Sequence, residues 1–411
     1  MYLVREGWLH SSLLRVADPR SGGGAQRSGL ARMCLIEYVV VVRVLIAPDK
    51  LKGTLTADAA AAAIARGWSR VRPQDVLELV PISDGGDGFG SVFASLTGAK
   101  PISTVSINAA GQRCVVRWWW DEAKKTAIIE SARVIGLAML PPGEFHPFQL
   151  DTRGLATVLT AAAKRGARRC WVGIGGSATN DGGFGLARGL GWKFFDAVGG
   201  EIEAWTELSR LARVEEPRRQ DWPKKIVVAV DVQNPLLGAR GCSRIYGPQK
   251  GLKARHFAKA EGALLQLAKV IHKKTGKNVA IEPGAGAAGG LGFGLVAFAG
   301  ASLESGFDLV ADAARLDATL RRADLVITGE GRVDHSTLMG KGVGELAGRC
   351  RKLGVDCIAL GGSVADREML SRRFSYVGAL TDLTSVPRAK ANAAMWLERL
   401  AMEAARQFKQ R

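Results

Sequence analysis

Short runs of β-branched residues alternate with longer amphipathic stretches from about residue 39 onward. The first run, VVVVRVLIAPD, extends from Val39 to Asp49 and predicts a buried strand. Ala57–Ser69 then predicts a helix, with Thr56 as its N-cap and Asp58 in its first turn. Strand-then-glycine units recur at Arg169–Gly175, Ile226–Asp231, Asp324–Gly329 and Asp356–Gly361. This alternation predicts an α/β protein with a mainly parallel sheet.

One region departs from the βα alternation. Between Pro101 and Glu130 the segments CVVRWWW, DEAKK and TAIIE predict a hairpin in a more mixed region. Three adjacent tryptophans suggest a stacking surface for bases. However, strand alternation places Trp118 and Trp120 on one face and Trp119 on the other, which favours a packing role.

Composition narrows the functional classes. Glycine accounts for 51 of 411 residues, against an average near 7%, and the excess is concentrated in a few loops. The formal net charge is +18, but the basic residues are scattered and no nucleic-acid-binding motif accompanies them. Six widely spaced cysteines without a C-x-x-C pair indicate reduced thiols in a cytoplasmic protein. The uncharged stretch from Gly284 to Leu303 predicts a glycine loop leading into a buried helix.

Five glycine-rich segments carry charged or amide side chains, and each follows a predicted strand. They are APDKLKGTLTA at 47–57, SDGGDGFG at 83–90, GIGGSATNDGGFG at 173–185, DVQNPLLGARG at 231–241 with GPQKG at 247–251, and TGEGRVDHSTLMGKG at 328–342. Each alone is explained by turn-capping or a surface ion pair. Five such segments together favour a binding site that is formed largely by backbone groups of the loops.

Phosphoryl transfer suits this inventory. It needs backbone N–H groups around phosphate oxygens, a Lys or Arg that balances charge, and carboxylates that hold Mg²⁺. Loops at the carboxyl ends of parallel strands supply such groups together. The chain has neither the Walker spacing nor the protein-kinase HRD and DFG segments. The sequence therefore predicts a phosphotransferase of another kind.

The order of motifs APDKLKG, DGGDG, GGSATNDGG, DVQNPLLG, GPQKG, GAGAAGGLG and TGEGRVD resembles the bacterial glycerate kinase family of the glycerate 2-kinase type. The resemblance covers roughly residues 42–386. It implies a Rossmann- or flavodoxin-like parallel-sheet domain formed by 42–80 plus 290–411, and a second α/β domain inserted at 81–289. Residues 1–41 have no counterpart and are expected to be a disordered extension, a transit peptide, or the result of a start codon upstream of Met33.

The resemblance also implies ATP-dependent phosphorylation of D-glycerate, most simply to 2-phosphoglycerate, by in-line transfer in an interdomain cleft with Mg²⁺. The expected catalytic residues are Lys52, Asp181 and Arg332. Lys52 or Arg332 is expected on the substrate carboxylate, and Asp181 is expected to orient the attacked hydroxyl or to serve as base. The expected metal ligands are Asp84 and Asp231. Substrate and phosphate contacts are expected from Asp84, Gly85, Gly86, Gly175, Gly176, Ser177, Thr179, Asn180, Asn234, Glu330, Asp334 and Lys341.

Two departures from the family pattern concern the acceptor. Asp87 and Phe89 stand where the family has Glu and a small hydroxyl residue, and Lys50-Leu51-Lys52 stands where it has SFK. A kinase for a related small hydroxy acid and a non-catalytic glycerate- or nucleotide-binding protein therefore stay open. The expected partners are glycerate and ATP, with no nucleic acid and no membrane, in the cytoplasm. A homodimer also stays open.

Overall fold

The computed structural model describes residues 41–338 and 342–408. The expectations for residues 1–40 and for Lys341 therefore lie outside the described residues. From Val41 onward the chain forms one compact unit.

The strands and helices alternate along much of the chain. The strands are β1 Arg43–Ile46, β2 Val76–Leu79, β3 Lys100–Ile107, β4 Arg113–Asp121, β5 Thr126–Glu130, β6 Arg169–Gly173, β7 Lys193–Asp196, β8 Leu211–Glu215, β9 Lys225–Val230, β10 Ser302–Ser305, β11 Leu325–Thr328, β12 Arg332–Val333, β13 Asp356–Gly361, β14 Ser363–Val364 and β15 Tyr376–Ala379. The α-helices are α1 Ala57–Val71, α2 Phe89–Thr97, α3 Ala132–Ile135, α4 Arg153–Lys164, α5 Phe184–Gly189, α6 Cys242–Ile245, α7 Ala254–Thr275, α8 Ala287–Ala299, α9 Gly306–Ala313, α10 Leu316–Leu320, α11 Gly342–Leu353, α12 Arg367–Leu370, α13 Leu380–Leu383, α14 Val386–Ala391 and α15 Ala393–Gln407.

Two large sheets organise the described chain. The first has the order β15-β13-β11-β1-β2, and every neighbouring pair is parallel. The second has the order β10-β9-β6-β5-β4-β3, parallel from β10 to β5 and antiparallel at β4 and β3. The α/β class with a mainly parallel sheet is thus confirmed.

The second sheet extends further along the chain than the sequence suggested. Strand β10, at Ser302–Ser305, hydrogen-bonds to β9 of the second sheet. Buried residues of α8, including Phe293 and Phe298, pack in the same core as that sheet. The predicted boundary at residue 290 falls inside α8, so residues up to 305 belong with the second sheet. The division into two domains stays a prediction.

Helix α1 illustrates how local sequence positions the first sheet's loops. Thr56 is the N-cap, and its Oγ1 accepts a hydrogen bond from the Ala59 N–H at 3.2 Å. The apolar face of the helix, which includes Ile64 and Trp68, is buried in the core of the first sheet. Because the cap fixes where the helix begins, the preceding loop 47–55 is held at the end of β1.

The tryptophan run packs as alternation predicted. Trp118 and Trp120 lie in the large core of the second sheet, whereas Trp119 lies in a smaller cluster with Phe89 and Phe93. All three tryptophans are buried. Among the described residues, no helix has the length and apolarity needed to cross a membrane.

Candidate active site

Loops from the carboxyl ends of both sheets meet at one place. The loop after β2 contacts the loop after β6 so closely that a Cβ on Gly175 would lie 2.6 Å from the Gly86 Cα. A Cβ on Gly306, which follows β10, would lie 2.2 Å from the Asp84 carbonyl oxygen. Only glycine permits such approaches. The two glycines thus bring Asp84 and Gly86 against the ends of the second sheet's strands.

A cavity of about 340 Å³ opens beside this junction. One wall comes from the loop after β1 and the start of α1. The other comes from the loop after β2, from α2 and from the residue Arg133 that follows β5. The lining residues are Asp49, Lys50, Lys52, Gly53, Thr54, Leu55, Thr56, Ala57, Ser83, Asp87, Gly88, Ser91, Val92 and Arg133.

Lys50 lies within a group of acidic residues. Burial acts to lower the pKa of its ammonium, but the negative charges around it outweigh burial and raise that pKa. The carboxylates responsible are Asp49, Asp84, Asp87 and Asp231. Lys50 therefore stays charged and offers a fixed positive group inside a negative surrounding.

Asp49 is the buried member of this group and is only 8% exposed. Burial, reinforced by the charge of Asp84, raises its pKa to about 7, although the positive charge of Lys50 and the Lys50 N–H at 2.6 Å work in the opposite direction. A carboxyl group that lines a cavity and titrates near neutrality can exchange a proton at physiological pH.

The site residues expected in the loops after β1 and β11 differ in their exposure and their partners. Lys52 lines the cavity but is exposed. A Cβ on Gly331 would lie 3.0 Å from the backbone nitrogen of Lys52, so the loop after β11 reaches the same region. Arg332 has a side chain that is 70% exposed and forms an ion pair with Asp334 at 2.9 Å. Glu330 accepts a hydrogen bond from the Thr337 hydroxyl at 2.7 Å.

Asp181, the expected base, is fully buried. Its Oδ2 accepts hydrogen bonds from the Thr152 N–H at 2.9 Å, the Thr152 hydroxyl at 2.7 Å and the Gly185 N–H at 2.9 Å. Its Oδ1 accepts from the Gly183 N–H at 3.2 Å. Burial, with the charge of Asp151, raises its pKa to about 6 despite these bonds. This carboxylate fixes the path of its own loop and is not among the residues that line the cavity.

The phosphate-binding candidates of the same loop surround a buried lysine from the GPQKG segment. Lys250 is 6% exposed, and its Nζ donates to the Ser177 hydroxyl at 3.1 Å and the Thr179 carbonyl at 2.7 Å. The Asn180 side chain donates to the Ser243 hydroxyl at 2.9 Å. Burial lowers the pKa of Lys250 to about 8. These side chains hold loops to one another in the interior.

Asn234 has a similar role in the NPLLG segment. Its amide nitrogen donates to the Arg240 carbonyl at 2.8 Å, and its amide oxygen accepts from the Tyr246 hydroxyl at 2.6 Å. Both polar ends are therefore used within the loop after β9. The segment's contribution to the acidic group is Asp231, which is exposed and close enough to Lys50 to raise its pKa.

The acidic group suits a divalent cation. Within residues 41–338 and 342–408, no three His, Cys, Asp or Glu side chains are arranged to enclose a metal ion. Mg²⁺ does not require such an enclosure, because it binds through one or two carboxylates together with phosphate oxygens and water. Four carboxylates, those of Asp49, Asp84, Asp87 and Asp231, act on the single ammonium of Lys50, so negative charge exceeds positive charge in this group. The residues therefore fit Mg²⁺ bound with a phosphate.

Sequence reasoning missed four charged residues that line the cavity, namely Asp49, Lys50, Asp87 and Arg133. Asp49 and Lys50 stand in APDKLKG, where only the second lysine, Lys52, was predicted to be a catalytic residue. Asp87 stands in DGGDG and was considered only as a departure from the family pattern. Arg133 follows β5 outside the five glycine-rich segments, and its only signal was an acidic residue three positions earlier, Glu130.

Comparison with known proteins agrees with this architecture. The glycerate kinase family model matches residues 44–409. The chain is 39% identical over 327 residues to a glycerate kinase of Halalkalibacterium halodurans, covering 78% of this chain and 85% of that protein. It is 36% identical over 351 residues to glycerate 2-kinase of Escherichia coli, covering 84% of this chain and 91% of that protein.

A solved structure shows the same fold. The crystal structure of a protein from Salmonella typhimurium LT2, provisionally named glycerate kinase 2, superposes with a TM-score of 0.76 at 32% identity. The match covers 89% of this chain and 98% of that chain. With the family model matched over most of the chain and relatives aligned over most of their length, this chain belongs to the glycerate kinase family and is an enzyme of the kinase class.

Proposed function

We propose that this protein transfers the γ-phosphoryl group of ATP to D-glycerate, giving 2-phosphoglycerate, at the cavity beside Lys50. The observation that carries the proposal is the placement of one charged lysine and several carboxylates where the carboxyl ends of parallel strands from the two sheets meet. Phosphoryl transfer depends mainly on positioning and charge balance, and this arrangement supplies both. The names of the relatives support glycerate as the acceptor.

The proposed roles follow from position. The Lys50 ammonium balances the charge that develops on the transferred phosphoryl group. Asp84 and Asp231 hold Mg²⁺, which when bound neutralises phosphate oxygens. Asp49, which lines the cavity, accepts the proton of the attacking hydroxyl. As the hydroxyl oxygen forms its bond to the γ-phosphorus, the bond to the bridging oxygen breaks and ADP leaves in line.

Asp181 and Lys250 receive structural roles in this proposal. Asp181 accepts four hydrogen bonds and has no exposed surface, so we replace its expected role as base with that of holding the loop 177–185. Lys250 ties the same loop to the GPQKG segment. We also propose a cytoplasmic location, which the free state of the cysteines in the described part supports.

The test is ADP formation by the purified full chain with ATP, Mg²⁺ and D-glycerate, with the phosphorylated product identified by NMR. The proposal expects 2-phosphoglycerate and no turnover when Mg²⁺ is chelated. Formation of 3-phosphoglycerate would keep the reaction class and overturn the site of phosphorylation.

A panel of small acids separates the remaining alternatives. L-Glycerate, glycolate and tartronate are tested in parallel with D-glycerate. A higher kcat/KM for one of the others would identify a kinase for a related hydroxy acid. A protein that binds D-glycerate or ATP by calorimetry but forms no ADP would be a non-catalytic binding protein.

A further inference from the structure

A guanidinium is fixed at the wall of the cavity by residues that sequence analysis did not single out. Arg133 follows β5, and its Nε donates to the Glu130 carboxylate at 2.5 Å. Its guanidinium carbon lies 5.0 Å from the ring centre of Trp119, which is 7% exposed. An ion pair on one edge and an aromatic ring on one face leave this side chain little freedom.

Glu130 is itself held rigidly. It is 3% exposed, and its Oε1 accepts from the Gly90 N–H at 2.6 Å and the Ser91 N–H at 3.4 Å, at the start of α2. The positive end of α2 therefore offsets part of the glutamate's charge. Because of this, the ion pair with Glu130 does not cancel the charge of Arg133 completely.

The guanidinium retains binding capacity. Only Nε is used by Glu130, and within the described ranges the two terminal amino groups of Arg133 donate no hydrogen bond to the protein. Two terminal amino groups in one plane match the two oxygens of a carboxylate. Arg133 also lines the cavity, as does the loop that carries Lys50.

The other cations near the cavity are less suited to a substrate carboxylate. Lys50 already stands among four carboxylates, which would repel an acidic acceptor from its ammonium. Lys52 is exposed and presents a single point charge. Arg332 is 70% exposed and paired with Asp334.

We propose that Arg133 binds the carboxylate of the acceptor and thereby selects an acid over a neutral polyol. This inference rests on the proposed function. Glycerate would lie with its carboxylate at Arg133 and its hydroxyls toward Asp49 and Lys50, which line the same cavity. Arg133 is thus a specificity-determining residue. It follows a strand of the second sheet, whereas the proposed reacting residues Asp49 and Lys50 follow a strand of the first sheet.

The test compares Arg133→Gln and Arg133→Lys with the wild type in steady-state ADP formation. We expect the KM for D-glycerate to rise at least about 30-fold in Arg133→Gln, because a charge-assisted bidentate contact is lost. Arg133→Lys keeps the charge but not the fork, so about a 10-fold rise is expected. The KM for ATP should stay within about twofold in both.

The matched control is Arg169→Gln. Arg169 also stacks on a tryptophan, with its guanidinium carbon 5.8 Å from the Trp171 ring centre, but it stands at the opposite end of the second sheet. Thermal unfolding of all variants shows whether they are folded. Calorimetric titration with D-glycerate alone measures the same affinity change without turnover.

The outcomes of these measurements separate a failure of this inference from a failure of the proposed function. An unchanged KM for D-glycerate in folded Arg133→Gln would overturn the inference and leave the proposed function intact. A rise in the KM for ATP instead would assign Arg133 to the nucleotide. If the KM for D-glycerate rose comparably only in an Arg332→Gln variant assayed in parallel, the carboxylate contact would belong to Arg332 instead. A wild type that neither binds nor phosphorylates D-glycerate would overturn the proposed function, and this inference with it.

Discussion

Two aspartate–lysine sets in glycine-rich loops differ in their access to the cavity. Asp49 and Lys50 line it, and surrounding carboxylates raise the pKa of the lysine. Asp181 and Lys250 are buried, and burial lowers the pKa of that lysine to about 8. A charged residue in a glycine-rich motif therefore does not necessarily line the cavity. In the proposed function, Asp49 and Lys50 take part in the reaction, whereas Asp181 and Lys250 hold the loops in place.

The largest expected effect separates the cavity set from the buried set. Asp84→Ala removes a proposed Mg²⁺ ligand, so kcat should fall about 10³-fold and the Mg²⁺ concentration for half-maximal rate should rise. Steady-state ADP formation across a Mg²⁺ titration measures both. Unfolding in urea should stay close to wild type. A normal Mg²⁺ dependence with a normal kcat would remove Asp84 from the metal site.

The next effect concerns stability. Asp181→Ala leaves four donors, on Thr152, Gly183 and Gly185, without their acceptor, so the free energy of unfolding should fall by about 3 kcal/mol. Urea denaturation followed by tryptophan fluorescence measures the change. Asp221→Ala is the control, because Asp221 is 57% exposed beside Arg219. A stable Asp181→Ala protein with lost turnover would restore Asp181 as a catalytic base.

A smaller effect is a pH dependence. Between about pH 8 and pH 10 the folded protein has released the Lys250 proton, whereas the unfolded chain, with a lysine pKa near 10.4, still holds it. The unfolded state then binds more protons, so this group makes stability increase with pH, by about 2 kcal/mol over that range. The free energy of unfolding of wild type minus that of Lys250→Met should therefore rise between pH 8 and pH 10. If the free energies of unfolding of the two proteins changed in parallel with pH, burial would not lower the pKa of Lys250 in the folded state.

The smallest effect concerns the support of Arg133. Glu130→Gln weakens the ion pair that orients the guanidinium, so the KM for D-glycerate should rise about fivefold while kcat changes less than twofold. Steady-state kinetics at saturating ATP measure this split. If Glu130→Gln left the KM for D-glycerate unchanged but lowered the free energy of unfolding, Glu130 would only stabilise the start of α2.

Much of the fold could be predicted from the sequence because its signals are local. The N-cap at Thr56 and the alternation of Trp118, Trp119 and Trp120 depend only on neighbouring residues, and both predictions are confirmed. The pairing of β10 with β9 was not predicted, because strand order depends on contacts between distant segments.

The candidate site was predicted only in part. Glycine motifs indicated which loops meet, but not which side chain of a loop faces the cavity. Lys50 and Lys52 are two residues apart in one motif, and only the folded loop places Lys50 among the carboxylates. The burial of Asp181 likewise depends on Thr152, which is distant in sequence. Arg133 lies outside all of the motifs that the sequence analysis used.

The central claim is that phosphoryl transfer takes place at Lys50. The most direct test is ³¹P NMR of phosphoglycerate formation by wild type and Lys50→Met under saturating ATP, Mg²⁺ and D-glycerate. The account predicts a rate at least about 10³-fold lower for Lys50→Met, with cooperative unfolding retained. A folded Lys50→Met protein that forms phosphoglycerate within about tenfold of the wild-type rate would contradict it.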